Sequence, residues 1–517
     1  MVVTPDSLSQ TLSDFLNGAR AAVVVEDGAI AFDLAASKYS ISGEHHKCLL
    51  HLWSHERNVV RRVLDVDVTT TMLRLQVQRM GQTRPTRLDF CRDRDRRSPA
   101  ARRAARVAYE SRLRRAIERH FPEWTIIRLT TSVDLEHSFG PAYLRGWMRR
   151  GQRALAILGV NDQETQATVD GALTCGILWL DACRMAQRDR CVVEGLAMIV
   201  PHGMATLTRQ RMAHLHPTAA KWSLHEFDQR EDSLVPLDAS DRGNLATRLV
   251  HCTDEGPALD RFAGSIARVR GILPAAEVVV LSPAVISFRR HGLEFAQARL
   301  AHDPRNFETV EEVAFGVGSE ERVLSPENEM LFGDLVRLAA AVRHPHGPKN
   351  HALWRMHPER WLESLLFAGI SALDSRLRPD PVYAQVPAFA AADRAMIDVL
   401  ATTRDSRLAV IEIKADEDIH LPLQGVDYWS RVSWHQSREE FAQFGYFPGQ
   451  SISSRQKPLL MLVAPALRIH PTTDVILRYL SPEIEWEVLG IDEHWREKIK
   501  VVFRKRSAGA QRQAIPA

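Results

Sequence analysis

Cysteine is sparse and lopsided in this chain: six residues in 517, the last of them Cys252, with no CxxC pair and no zinc-ligand spacing. That excludes a disulfide-stapled scaffold and a zinc ribbon, and leaves Cys175, Cys183 and Cys191 as core thiols. Lysine is scarcer still for its class, nine residues among 67 basic ones. Generic positive charge is therefore supplied as Arg, and a Lys in an apolar segment is informative. No apolar run reaches the roughly 18 residues of a membrane span. The start, Met1-Val2-Val3-Thr4-Pro5-Asp6, lacks the basic-then-apolar pattern of a secretory leader. The expectation is a cytoplasmic protein with no membrane partner. Hydrophobic residues at 45% and charged residues at 25% exclude wholesale disorder and a coiled-coil rod.

What is present is enough chain for two to four domains. The formal charge of +3 is unevenly placed. Between Arg92 and Arg119 eleven Arg face four acids, a local +7 against −4 for the remainder. Such a block points to a polyanion. Arg94, Arg96, Arg97 and Arg102 are its candidate nucleic-acid contacts, while Tyr109, Leu113 and Ile117 must pack one side of the Pro99–His120 helix inward. Residues 1–97 read as a strand-rich domain with turns at Gly28, Gly43 and Gly81. Residues 98–343 read as the Arg-rich helix followed by a middle α/β region. A boundary is expected at His344-Pro345-His346-Gly347-Pro348-Lys349-Asn350, whose residues have turn chemistry and no apolar period. From 344 to 506 the order is α, β, β, β, α, β: a helix over Pro358–Ser371, three strands to Lys414, a helix over Pro422–Phe444, and a strand at Leu459–Val463. The tail 507–517 is small, polar and expected to be disordered. The fold class is multidomain α/β.

The chemistry concentrates in the last third. Strand Arg407–Lys414 alternates so that Val410, Glu412 and Lys414 share one face. The strand before it carries Asp398. In a hairpin, cross-strand partners have a constant index sum, and Asp398 meets Glu412 directly only if that sum is 810. Two carboxylates and one Lys at a strand end form a site for a hard cation, with the Ile413 carbonyl a further oxygen donor. An acid-x-Lys triplet arises about once by chance in a chain of this composition. Its weight comes from the apolar strand around it and from Lys414 being the sole Lys between positions 350 and 456.

This segment resembles the PD-(D/E)xK nuclease superfamily, the restriction-endonuclease-like fold, over roughly residues 350 to 490. Asp398 matches the motif Asp, Glu412-Ile413-Lys414 matches ExK, and Glu363 matches the acidic residue that many members carry on the first helix. Gln424-Gly425-Val426-Asp427-Tyr428 matches the QxxxY motif of RecB-like exonucleases, and on a helix Gln424 and Tyr428 share a face. Ile397 stands where the motif name has Pro. The absence of Cys after Cys252 argues against the iron-sulfur cluster that some relatives carry. The resemblance implies a nuclease dependent on Mg²⁺ or Mn²⁺ that hydrolyses phosphodiester bonds, in DNA before RNA, in prokaryotic defence, restriction or repair. It makes Asp398, Glu412, Lys414, Gln424, Tyr428 and Glu363 the catalytic set, with Asp398, Glu412, Ile413 and Glu363 on the metal. The alternative is a nucleic-acid-binding or assembly protein that uses an inactive nuclease fold. Protein partners, or a second copy of the chain, would bind through the N-terminal regions.

Weaker signals remain. His51 and His55, beside His45 and His46, lie on strand-like sequence and read as solvated or core residues before a zinc site. Trp429 and Trp434 read as core first, and Arg431 as a candidate nucleic-acid contact. A degenerate, non-catalytic copy of the same fold over residues 110–200 rests on Ile126–Leu129 and Asp134 ahead of a helix and a later apolar strand.

Overall fold

The structure is a computed structural model. It describes residues 4–507 apart from 18, 20–21, 27–28, 35–36, 45–46, 54–57, 69–71, 80–84, 93–98, 133–138, 163, 187–190, 229–230, 242–246, 303–308, 319–320 and 391–392. Two compact units are present, residues 1–208 with 221–238, and residues 209–220 with 239–517.

The first unit opens with helix α1 (Pro5–Leu16), begun by a capping box between Thr4 and Ser7. Seven strands follow: β1 (Val23–Glu26), β2 (Ala29–Asp33), β3 (Lys38–Glu44), β4 (Lys47–Trp53), β5 (Asn58–Val68), β6 (Met72–Arg79) and β7 (Pro85–Cys91). They form a sheet in the order β2-β1-β7-β6-β5-β4-β3. Alternate residues such as Leu50, Leu52, Leu73, Leu75, Leu88 and Phe90 bury against Leu8, Leu12 and Phe15 of α1. Gly43 was expected in a turn and lies instead inside β3, opposite Cys48. A Cβ there would come within 2.9 Å of Pro5 Cγ, so its missing side chain makes room for the helix.

Helix α2 (Pro99–His120) buries Tyr109, Leu113 and Ile117 as its sequence requires. It leads into β8 (Thr125–Thr130), β9 (Tyr143–Arg150), β10 (Arg153–Val160), α3 (Gln166–Asp170), α4 (Ala172–Ala186), β11 (Val192–Pro201), α5 (Thr206–Met212), β12 (Lys221–Asp228) and β13 (Ser233–Leu237). The sheet order is β8-β9-β10-β11-β12-β13, read from one edge. Its first three strands are antiparallel, β10-β11-β12 run parallel and β13 closes antiparallel.

In the second unit β14 (Thr247–Leu249), α6 (Gly256–Arg261) and α7 (Ala263–Ile272) precede five antiparallel strands. These are β15 (Glu277–Ser282), β16 (Val285–Arg290), β17 (Leu293–His302), β18 (Thr309–Phe315) and β19 (Arg322–Val323), and α8 (Glu329–Val342) covers them through Phe332, Val336 and Ala339. Then come α9 (Ala352–Arg355), α10 (Pro358–Ala368), β20 (Tyr383–Ala390), β21 (Asp393–Thr402), β22 (Leu408–Ile413), α11 (Leu421–Ser437), α12 (Glu440–Gln443), β23 (Leu459–Pro465), α13 (Thr473–Arg478), β24 (Trp486–Ile491) and β25 (Val501–Arg506). The sheet order is β14-β20-β21-β22-β23-β24-β25. Two helices end earlier than their sequence suggests. Gly369 stops α10 before Ser371, and α11 stops at Ser437 because Glu439 turns the chain with a φ of 57°. The segment expected as a linker is tied down. Arg343, fully buried, donates to the carbonyls of His291, Leu353, Trp354, Met356 and His357. Ser507 bonds to the backbone of Trp486, and the rest of the tail lies outside the described residues.

The six strands β8–β13 and the six strands β20–β25 follow one plan: three antiparallel strands, two further strands added in parallel, and an antiparallel edge. The helix before each set, α2 or α10, packs on one face. The helix after the third strand packs on the other through a glycine. A Cβ on Gly176 would meet Met198 and Leu196, and one on Gly425 would meet Leu462 and Leu460. Both fourth strands end in Pro, Pro201 and Pro465. Matching these marks places Leu158 where β22 has Glu412, and Arg145, the partner of Leu158, where β21 has Asp398.

His225 on β12 is 4% exposed and packs edge-on to His120 and Phe121. Burial and the neighbouring His120 lower its pKa from 6.5 to about 4. The folded chain therefore holds it neutral above that value, while the unfolded chain takes up a proton below about 6.5. Stability present above pH 6.5 is lost as the pH falls towards 4, by about 3 kcal/mol at most. Denaturant titrations at pH 5 and 7.5 are expected to differ accordingly for the wild type, and to differ by clearly less for His225→Gln.

Candidate active site

The β21–β22 hairpin turns through Thr403–Arg407, closed by the Thr403 N–H donating to the Arg407 carbonyl at 2.8 Å. Its register pairs Val399 with Ile411 and Leu400 with Val410, a constant sum of 810. Asp398 and Glu412 therefore meet, and the Asp398 carboxylate also accepts from the Ile413 N–H at 3.1 Å. Ala409, Ile411 and Ile413 face α10 in a core with Trp361, Leu362 and Leu366. Glu412 shares its face with Leu462, its neighbour in the parallel ladder, and α11 lies over that face.

Glu412 is 1% exposed. Burial, and then the Asp398 carboxylate beside it, push its pKa well up. Burial raises Asp398 too, opposed by the Ile413 N–H and by Lys414. Glu412 Oε2 is buried and accepts from no donor among the described residues, and the two carboxyl groups are within hydrogen-bond reach of each other when one of them is protonated. Lys414 Nζ lies 3.2 Å from Glu412 Oε1, and 3.9 Å from both Glu359 and Asp418. Burial alone would lower the ammonium's pKa, but Glu412, Glu359 and Asp398 outweigh it and the net direction is upward. The lysine stays charged.

Glu363 is 8% exposed and accepts from Arg360 at 3.3 Å. Burial raises its pKa to about 7, with Asp398 adding to the rise. Among the described residues no three His, Cys, Asp or Glu side chains gather closely enough to hold a metal. Glu363 thus stands near the pair without joining it in a ready-made three-ligand cluster. Sequence reasoning missed Glu359 and Asp418. The first is one turn before Glu363 on α10, and the second closes the acidic run Asp416-Glu417-Asp418 after Lys414.

Gln424 and Tyr428 lie half-buried on one side of α11. Burial raises the Tyr428 pKa, with Glu412 and Asp398 contributing next, so the phenol lies within the field of the carboxylate pair. Gln424 Oε1 is buried and unpartnered among the described residues. Asp427, one residue before Tyr428, is held by Arg211 through Nε at 3.0 Å and Nη2 at 2.7 Å. Trp429 is core, 1% exposed, its Nε1 donating to the Pro458 carbonyl. Arg431, the candidate nucleic-acid contact on α11, is 5% exposed.

The Arg-rich block divides. Arg94, Arg96 and Arg97 lie outside the described residues, as does the side chain of Arg102. Farther along α2, Arg112 and Arg115 pair with Asp232 at 2.7 and 2.9 Å and Arg119 bonds to its carbonyl. That part of the block braces protein. His45, His46, His55 and Asp134 are also outside the described residues, and His51 Nε2 lies 3.2 Å from Ser42 Oγ. Cys48, Cys175 and Cys183 are free and buried.

At the matching place in β8–β13 the residues are Arg145 and Leu158, with Cys175 and Trp179 on α4 at the positions of Gln424 and Tyr428. Arg145 lies over the Phe139 and Trp179 rings and donates to the carbonyl oxygens of Gly140 and Ser132. Among the described residues no carboxylate pair lies there. Among the described residues no helix is long and apolar enough to cross a membrane. No known family model matches the chain, and no curated protein aligns with it significantly.

Proposed function

We propose that the second unit is a metal-dependent nuclease that hydrolyses phosphodiester bonds, in DNA before RNA, and that residues 358–491 form a restriction-endonuclease-like core with a RecB-like helix at α11. The observation that carries this reading is the buried meeting of Asp398 and Glu412 beside Lys414, with one Glu412 oxygen unpartnered. Two abutting carboxylates, one with an oxygen that accepts from no donor, fit a hard divalent cation, Mg²⁺ or Mn²⁺, in place of a shared proton. Asp398, Glu412 and the Ile413 carbonyl would hold it, with water and a phosphate oxygen filling the remaining positions. When bound, such an ion lowers the pKa of a ligated water and polarises the phosphoryl group.

The chain's own groups do the rest. The Lys414 ammonium, kept charged by Glu412, Glu359 and Asp398, offsets the negative charge that grows on the phosphate during attack. Gln424 and Tyr428 border the same space from α11 and would orient the phosphate or the attacking water. Glu363, whose pKa burial raises to about 7 with Asp398 adding to the rise, is a candidate to exchange a proton with the site.

Purified chain incubated with linear duplex, circular duplex, single-stranded DNA and single-stranded RNA is expected to cleave at least one of the DNA forms with Mg²⁺ or Mn²⁺, and none with EDTA. Binding of these substrates without cleavage under any metal condition would overturn the catalytic reading in favour of an inactive, nucleic-acid-binding fold.

A further inference from the structure

Arg431 lies two helical turns beyond Gln424 on α11, about 10 Å along the axis. With Gln424, Tyr428 and His435 it forms one polar side of the helix, at i, i+4, i+7 and i+11, next to the apolar side that carries Val426, Trp429 and Val432. Other buried guanidiniums in this unit are held: Arg343 by five carbonyls, Arg211 by Asp427, and Arg407 by Glu485 and the Lys457 carbonyl. His435 is held as well, between Thr247 and Glu440. Arg431 differs from those three guanidiniums. At 5% exposure its Nη1 has no hydrogen-bond partner among the described residues. Gln424 Oε1 on the same side of the helix, and Glu412 Oε2 on β22, also accept from no donor among the described residues.

A buried guanidinium nitrogen that finds no acceptor is costly, and an anion would complete it. Its planar fork of donors matches the non-bridging oxygens of a phosphate. Gln424 and Tyr428 on the same side of α11 are half-buried, and Tyr428 lies within the field of Glu412 and Asp398, so a strand whose scissile phosphate sits at that pair has its next phosphates about one to two helical turns from Arg431.

We propose that Arg431 is a phosphate-receiving residue, binding a non-bridging oxygen of a phosphate one or two nucleotides from the scissile bond and thereby fixing the strand along α11. The inference rests on the nuclease reading for its ligand, a nucleic-acid strand, but assigns a contact separate from the catalytic residues.

The test is a series of fluorescent single-stranded DNA oligonucleotides, each with one phosphate replaced by an uncharged methylphosphonate. Binding is measured by anisotropy in EDTA, so that no turnover is required. For the wild type, one replacement is expected to weaken binding about 10- to 100-fold more than the others. Arg431→Gln is expected to weaken the unmodified oligonucleotide by a similar factor and to show no further loss at that position. Arg431→Lys should retain part of the effect. Thermal unfolding of each variant checks that it is folded. If Arg431→Gln does not fold, Arg431→Lys carries the comparison through the size of its loss at that one position. Independent, multiplicative losses, or unchanged binding by a folded Arg431→Gln, would overturn the inference while leaving any observed cleavage intact. Position-specific coupling in a chain that never cleaves would support the contact and remove the catalytic reading. A wild type that neither binds nor cleaves the series overturns both.

Discussion

Glu412→Gln is expected to reduce cleavage by about 10³-fold or more, since it removes charge from the centre without changing its shape. The same substitution is expected to stabilise the metal-free chain by about 1 kcal/mol. Burial and the adjacent Asp398 both oppose ionisation of Glu412, and its Oε2 has no partner among the described residues. Two carboxylates held together in this way oppose folding unless a proton or a cation lies between them. Thermal unfolding in EDTA and in millimolar Mn²⁺ separates the effects. The wild type should gain more from Mn²⁺ than the variant, because a ligand stabilises only the state that binds it. If Glu412→Gln is less stable than the wild type in EDTA and equally responsive to Mn²⁺, the pair is a structural ion-pair element completed by Lys414.

The second large effect is expected far from the carboxylates in sequence. Arg343→Met should destabilise the second unit by about 3–5 kcal/mol, because five backbone carbonyls lose their donor and a fully buried cation is removed. Those carbonyls belong to the turn at His291 and to the segment that leads into α10. Arg343 thereby fixes the start of the helix that carries Glu359 and Glu363. Lysine should not rescue it, since one ammonium has three donors and cannot serve the whole ring of carbonyls. Denaturant unfolding of the variant, with a shift below about 1 kcal/mol, would show that the segment holds without its guanidinium.

The legible part of this chain was the part governed by short period and register. Alternation along β22 placed Glu412 and Lys414 on one face, and the hairpin sum of 810 seats Asp398 opposite Glu412. Spacing on α11 put Gln424 and Tyr428 on one side. Contacts between distant elements were not legible. Glu359 reaches Lys414 across 55 positions, and Arg343 reaches back to His291 across 52. Nor did composition reveal how the Arg-rich helix divides its charges, because Asp232, which binds Arg112 and Arg115, lies more than a hundred residues away. The shared plan of β8–β13 and β20–β25 left few traces beyond Gly176 with Gly425 and Pro201 with Pro465. Sheet topology depends on apolar pattern, which many sequences satisfy, whereas the charged residues that would mark a copy are absent from β9 and β10: Arg145 and Leu158 stand there instead.

That replacement bears on the product. With a carboxylate pair in β21–β22 and none at the matching place in β9–β10 among the described residues, the proposed nuclease is expected to break one strand per encounter. The most direct measurement is a time course on supercoiled plasmid in Mg²⁺, wild type beside Lys414→Ala, with EDTA controls. The account predicts open circles that accumulate before any linear form with the wild type, and intact supercoils with Lys414→Ala or EDTA. Equal nicking by Lys414→Ala, or plasmid left intact by the wild type in both Mg²⁺ and Mn²⁺, would contradict it.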